Sequence, residues 1–302
     1  MLFSNVIIIM KGLNNIGNTC YLNAGLQMLI QNKDFCDIIL YYAKDSPLID
    51  TFARFINDYY NTSSDRPISP IEIKKVLDEQ CKIFTGYDQQ DSTEFIIYLL
   101  DIIDTEIKKI DSESKSIGSI FGITINIRIK CKLLACLKEN YSKENNNVLL
   151  LDINSDIKSL DDAYNLFKQA EKLQSENAYF CENCNDLRIA SKRNIINTWP
   201  DYLFIFLKRY SYVNNGNADN EGITIVKNIQ PIEINLEWRD YSLQGAILHY
   251  GTLDGGHYVY VGKQDNGKWY VFDDSTHFEI ASESELIRHL MNAYWLCYKK
   301  RS

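Results

Sequence analysis

The chain has no long hydrophobic run. The one apolar stretch near its start, Val6 to Met10, is too short for a signal-peptide core or a membrane span, and no later stretch reaches transmembrane length. The expectation is therefore a protein with no membrane segment in a reducing intracellular compartment, cytoplasmic or nuclear. A basic excess is missing too. Thirty-two Lys and Arg face 40 Asp and Glu, a formal net charge of −8, which argues against a nucleic-acid-binding surface and would suit a partner with a basic segment. No internal repeat or low-complexity tract is present, so a repeat array is excluded. Histidine is scarce at four residues, which narrows the search for a catalytic base to His249, His257, His277 and His289. Cysteine is not scarce. In a reducing setting the eight cysteines read as catalytic, metal-binding or buried groups, not as a disulfide framework.

The 302 residues suffice for one large domain or two small ones. Up to about residue 110 the pattern is helical, with helices expected over Cys20 to Gln31, over Ile71 to Gln80, and after Asp91-Ser92-Thr93-Glu94, whose cap and following glutamate have capping-box spacing. From Phe121 the period shortens to two, with Ile123, Ile125, Ile127 and Ile129 alternating as in a strand. Lys138 to Asn147 reads as a polar hairpin tip or loop, and Asp161 to Leu173 as a helix. The last third is β-rich, with a turn at Asn214 to Asn220 and a helix over Ser282 to Met291. Helices first and antiparallel strands afterwards give an α+β fold class.

The loop Gly12-Leu13-Asn14-Asn15-Ile16-Gly17-Asn18-Thr19 delivers Cys20 to the start of a helix whose apolar stripe is Leu22, Leu26, Leu29 and Ile30. A thiol in a first helical turn feels the positive end of the helix dipole, which favours thiolate. Asn15 can supply an amide donor close by. An arbitrary cysteine is more often a buried structural residue, but the Gly/Asn-rich approach points to a nucleophile. A thiol nucleophile needs a base, and the base an orienting partner. His257 follows Gly255-Gly256, which would let a substrate backbone approach closely, and it opens a predicted strand. Asp273 and Asp274 end the next strand. Pairing of the two as a hairpin would place His257 and Asp273 at the same end of the sheet, where a carboxylate can fix an imidazole tautomer.

These segments resemble the boxes of the ubiquitin-specific proteases, papain-like deubiquitinating enzymes. The cysteine box is matched by Gly12-Leu13, Asn15, Gly17-Asn18-Thr19-Cys20-Tyr21, Asn23 and Gln27. The histidine box is matched by Leu248-His249-Tyr250-Gly251, Gly255-Gly256-His257-Tyr258, Trp269-Tyr270 and Phe272-Asp273-Asp274-Ser275. A third match is Gly86-Tyr87-Asp88-Gln89-Gln90-Asp91-Ser92-Thr93-Glu94-Phe95. The resemblance spans about Gly12 to Tyr298. It implies a single catalytic domain with a helical thumb (about 12–110) and antiparallel fingers (about 112–197) and palm (about 198–302). It also implies Cys20 as nucleophile, His257 as base, Asp273 as orienting carboxylate, Asn15 as oxyanion donor, and Asp274 as a second carboxylate for the oxyanion site or the imidazole.

The same resemblance implies substrate contacts from Gln27, Asp91, Glu94, Gly255, Gly256 and Tyr258. In the family, acids of the Asp91 segment meet the arginine-bearing tail of ubiquitin, a charge-assisted pairing. The loops 211–224 and 250–256 would flank the tail channel. His249 matches a recurring non-catalytic position, and His277 is expected at the surface. The expected partners are ubiquitin and ubiquitinated proteins, the expected state is a monomer, and no catalytic cofactor is implied. A protease for a ubiquitin-like modifier and an inactive ubiquitin-binding scaffold are the alternatives. Cys181-Glu182-Asn183-Cys184 has zinc-knuckle spacing. With Cys131 and Cys136 it would form a structural Zn2+ site. The first pair is separated by four residues where the family usually has two, which leaves a vestigial site with free thiols as the other reading.

Overall fold

In the first 121 residues, apolar side chains recur every three or four positions, and the chain winds into α1 (Cys20–Ile30), α2 (Lys33–Tyr41), α3 (Pro47–Asn61), α4 (Ile71–Gln80), α5 (Ser92–Ile110) and α6 (Ile117–Phe121). The computed structural model describes residues 10–61, 63–113, 116–214, 223–252 and 255–301. Val6 to Ile9 of the short apolar run and most of the expected turn at Asn214 to Asn220 lie outside them. None of the described helices is long and apolar enough to cross a membrane. Side-chain caps start two of these six helices: the Asn32 side chain accepts from the Phe35 N–H, and Asp91 Oδ1 accepts from the Thr93 N–H at 2.5 Å. The apolar stripe expected on α1 understates its environment. Every residue of α1 is buried, because it runs between the other helices and a β-sheet.

Beyond residue 122 come β1 (Ile123–Cys131), β2 (Glu139–Asn146), β3 (Leu149–Asp152), α7 (Leu160–Lys168), β4 (Glu171–Leu173), β5 (Tyr179–Cys181), β6 (Asp186–Arg188) and β7 (Ala190–Thr198). After them lie β8 (Tyr202–Lys208), β9 (Tyr210–Asn214), β10 (Ile223–Lys227), β11 (Glu237–Trp238), β12 (Tyr241–Gly251), β13 (Gly256–Lys263), β14 (Trp269–Asp273), β15 (Thr276–Glu279), α8 (Glu283–Leu290) and β16 (Ala293–Lys300). The palm sheet has the order β15-β14-β13-β12-β16-β8-β3, with β11 beside β12. The fingers sheet has the order β2-β1-β7-β4, and the β5–β6 hairpin is separate.

Both faces of the palm sheet are buried, which explains its near-continuous apolar runs. Along each strand the two faces alternate. Phe204, Ile247, Tyr260, Phe272 and Trp295 pack with the thumb helices, while Ile205, Leu248, Val261, Val271 and Leu296 pack on the other face with α7 and α8.

The structure corrects the sequence reading in three places. Lys138 to Asn147 holds a strand, β2, which pairs with β1 from Lys130↔Glu139 to Ile123↔Asn146. It lies at a sheet edge with six of its eight residues exposed, so it carries no apolar alternation. The expected helix over Asp161 to Leu173 stops at Lys168, and Glu171–Leu173 forms β4. The segment 112–197 is not one continuous unit either. At β3 the chain returns to the palm and pairs in parallel with β8, Leu149↔Ile205, before resuming the fingers.

Behind the palm, buried Arg209 donates to four backbone carbonyls: Ala293 (2.7 Å), Gln230 (2.7 Å), Met291 (2.8 Å) and Asn228 (3.3 Å). Burial pulls its pKa down to about 10, so it is still charged at neutral pH. The guanidinium gathers the chain after β8, after β10 and after α8. Arg209→Met strips these acceptors of their donor and should cost roughly 3 kcal/mol. The check is a lower urea midpoint at unchanged slope.

Candidate active site

The approach to Cys20 is a turn built on one amide. Asn15 Oδ1 accepts from the Gly17 N–H (3.0 Å), the Thr19 N–H (3.1 Å) and Thr19 Oγ1 (3.3 Å). Gly17 and Asn18 take positive φ of 118° and 49°, conformations that glycine and asparagine tolerate best. Asn18 Nδ2 donates to the Tyr87 carbonyl at 2.8 Å, which fastens the turn to the segment before α5. Cys20 is the first residue of α1, whose first turn carries no acidic residue of its own.

His257 and Asp273 come from adjacent strands, as expected. Tyr260 pairs with Phe272, so Asp273 falls opposite Val259 and His257 lies one diagonal step further along the same face. That step is closed by a 2.6 Å contact between His257 Nε2 and Asp273 Oδ1. The second ring nitrogen is left for the sulfur. The hydrogen bond with Cys20 is the largest influence on His257; desolvation opposes it, Asp273 reinforces it, and the imidazole pKa rises to about 9. A thiol, an imidazole and a carboxylate in line are the parts of a cysteine hydrolase.

Asp274 sits in the turn between β14 and β15 at φ 45°. Its Oδ2 accepts from Asn15 Nδ2 (2.8 Å), its Oδ1 from Asn23 Nδ2 (2.7 Å), and its carbonyl from the Leu13 N–H (2.7 Å). A Cβ at Gly12 would stand 2.3 Å from the Ser275 carbonyl carbon, so only glycine allows the two backbones to meet. Asp274 therefore clamps the cysteine loop to the histidine hairpin, a role more specific than the general assistance expected of it. The signal for it, Asn23, stood in the cysteine box with no role attached.

Several expected substrate contacts are already committed within the protein. Gln27 is 2% exposed; its Nε2 donates to the Lys11 carbonyl at 2.7 Å, and its Oε1 accepts from Tyr59 Oη and Gln31 Nε2, both at 3.1 Å. It is a core residue, not a substrate contact. Tyr258 is buried too, stacked on His249 at 4.2 Å between ring centroids. Asp91 caps α5 with one oxygen and accepts from Tyr294 Oη (2.6 Å) and Tyr258 Oη (3.4 Å) with the other, so it ties thumb to palm. Glu94 is exposed and borders a cleft of about 570 Å³ between α5 and residues 145–150, with Ile97 and Asp101. Gly256 lacks a Cβ for an internal reason: one would lie 2.0 Å from His249 Nε2. Around Gly255 the space is open. His249, the non-catalytic histidine, is buried with its pKa pushed down to about 4, by desolvation first and then by Lys227. His277 is half-buried and stacks on Phe272. Of the loops expected beside the channel, residues 215–222 and 253–254 lie outside the described residues.

At the far end of the fingers, the sulfurs of Cys131, Cys136, Cys181 and Cys184 lie within 4.8 Å of one another, with Cys136 and Cys181 3.7 Å apart. Four thiolates at about 2.3 Å around a tetrahedral Zn2+ would have edges of about 3.8 Å, so the donor set fits. Backbone N–H groups of Leu133 and Lys138 donate to the sulfurs of Cys131 and Cys136. The residue after each second cysteine, Leu137 or Asn185, turns at φ 47° or 48°. The longer first spacing is absorbed by a turn in which the Cys136 and Leu137 N–H groups both donate to the Leu133 carbonyl.

The family model for ubiquitin carboxyl-terminal hydrolase matches residues 11–298. The chain belongs to that family. "Probable ubiquitin carboxyl-terminal hydrolase 16" of Schizosaccharomyces pombe is 31% identical over 333 residues, covering 100% of this chain and 69% of that protein. Ubiquitin carboxyl-terminal hydrolase 17 of Arabidopsis thaliana is 29% identical over 310 residues, covering 96% of this chain; the match spans only 42% of the plant protein's length. Among solved structures, the SAGA DUB module Ubp8/Sgf11/Sus1/Sgf73 bound to monoubiquitin superposes with a TM-score of 0.82 at 23% identity, covering 100% of this chain and 72% of that one. The same module bound to ubiquitin aldehyde gives 0.82 at 24%. These two share the fold.

Asn tolerates positive φ, so Asp274→Asn removes the carboxylate without straining the turn. It should set one amide N–H against another, cost about 1–2 kcal/mol of stability and slow iodoacetamide alkylation of Cys20 on the order of tenfold. Mass spectrometry of the Cys20 peptide over time reads this out.

Proposed function

We propose that this chain is a thiol-dependent deubiquitinase that hydrolyses the isopeptide or peptide bond after the C-terminal glycine of ubiquitin. The observation that carries the reading is the Cys20–His257–Asp273 line, set at a helix N-terminus in a chain of the ubiquitin carboxyl-terminal hydrolase family. Cys20 Sγ attacks the glycine carbonyl as thiolate, its proton held by His257. The Cys20 backbone N–H and the Asn15 amide N–H not used by Asp274 stabilise the oxyanion. His257 then protonates the departing lysine amine, and water, deprotonated by the same imidazole, hydrolyses the thioester. Asp273 keeps the ring oriented throughout. With Asp91 committed to the tyrosines, Glu94 is the exposed carboxylate of that segment for the arginines of the tail. Cys131, Cys136, Cys181 and Cys184 would hold a structural Zn2+, which closes the fingertip and supplies no catalytic step. The working unit is a single chain.

A ubiquitin probe with a C-terminal electrophile should label native protein at Cys20 and leave Cys20→Ala unlabelled. Tight ubiquitin binding without an adduct would instead favour the scaffold, and labelling by a ubiquitin-like probe alone would reassign the substrate. The raised pKa keeps the imidazolium available as acid up to about pH 9, so kcat/KM for a ubiquitin–fluorophore amide should fall as pH passes that value. Asp273→Asn removes one cause of the elevation and should bring the fall to lower pH. Metal analysis should find one zinc per chain. Cys181→Ser should release it and lower the melting temperature by several degrees, while kcat of the folded fraction stays within about twofold.

A further inference from the structure

We propose that Gln89 and Lys227 are positioning residues that hold the backbone of His257 against the nucleophile from opposite sides of the cleft. The proposal rests on Cys20 and His257 performing the chemistry. Those two groups belong to different subdomains, so their alignment requires the start of β13 to be fixed relative to α1. Gly256, the residue before His257, is held on its thumb side: its N–H donates to Gln89 Oε1 at 2.9 Å. Gln89 lies two residues from Tyr87, whose carbonyl accepts from Asn18 in the cysteine loop. One short segment thus touches the nucleophile's loop and the base's strand together.

The palm side is held through His249, on which Gly256 packs closely enough to exclude any Cβ. His249 cannot swing away. Its Nδ1 lies 3.0 Å from Lys227 Nζ and 2.9 Å from Tyr210 Oη, and its ring is stacked on Tyr258. The same ammonium donates to the carbonyls of His249 and Gly251, both at 2.8 Å. Gly251 pairs with Gly256 across the β12–β13 ladder. One cation therefore fixes the ring under Gly256 and the strand end beside it. Neither Gln89 nor Lys227 contacts the imidazole of His257, so each acts through Gly256.

A small alkylating agent separates positioning from substrate contact, because iodoacetamide reaches Cys20 without using the tail channel. Gln89→Leu and Lys227→Met should each lower kcat for a ubiquitin–fluorophore amide by about tenfold with KM within about twofold. Each should also slow iodoacetamide alkylation of Cys20 at neutral pH by a similar factor. Gln89→Glu keeps an acceptor for the Gly256 N–H and should recover most of both rates. A rise in KM with kcat and alkylation unchanged would overturn the proposal in favour of a tail contact, and wild-type values in both assays would overturn it outright. Should Lys227→Met fail to fold, the exposed Gln89 pair decides alone. If the native chain shows His257-dependent alkylation but no ubiquitin hydrolysis, the functional reading fails and the positioning test still stands.

Discussion

The Asp274 carboxylate is the contact on which the site depends. Cys20 and His257, the proposed nucleophile and base, are 237 residues apart in sequence and lie on different subdomains. Chain connectivity does nothing to align them. Asp274 joins them by accepting from Asn15 and Asn23 on one side while remaining, through its own backbone, the residue after Asp273. Asn15 then passes the constraint into the turn before Cys20, and Asn23 passes it into the first turns of α1. Charge-assisted bonds from two amides are stronger than neutral ones and directional, so this junction sets position as well as adding stability. The glycine at position 12 is a consequence: once the hairpin turn is pulled against the cysteine loop, no side chain fits there.

A second set of ties runs through residues 87–91. Tyr87 meets the cysteine loop, Gln89 meets Gly256, and Asp91 meets the tyrosines of β13 and β16. Five consecutive residues thus hold the cysteine loop at one point and bridge thumb to palm at two more, all close to the chemistry. This accounts for a dense polar sequence just ahead of an apolar helix. A helix cap alone needs one such residue; here the others are spent on the opposite wall of the cleft.

The fold class, and the three side chains Cys20, His257 and Asp273 that the structure brings together, were legible because each sits in a local pattern: a helical stripe after Cys20, an alternating strand after Gly256, and an acid at the matching strand end. Three things were not legible. The strand β2 is two-sided and solvent-facing, so the alternation that announces a strand never arises. The return of β3 to the palm is a matter of topology, and its short apolar run looks the same in either sheet. Whether a motif residue faces substrate or core also escapes the sequence. Gln27, Tyr258 and Asp91 all have polar atoms suited to a ligand, and only their burial and partners reveal that those atoms are already bonded. The four-cysteine cluster shows the reverse: an irregular spacing that sequence could not resolve is reconciled by one additional turn at Leu133.

Two histidines lie on the same pair of strands, and their surroundings assign them opposite work. His257 faces the cysteine and a carboxylate across a half-open cleft, and its pKa rises to about 9. His249 is enclosed by aromatic rings and beside an ammonium, and its pKa falls to about 4. At neutral pH the first is protonated and the second is a neutral wedge. Had His249 been charged, it would have repelled Lys227, and the strand end it supports would lose its anchor. The neutral ring accepts from that ammonium instead. The separation of the two pKa values thus suits one imidazole to the acid and base role proposed for it while its neighbour supports the backbone that carries it.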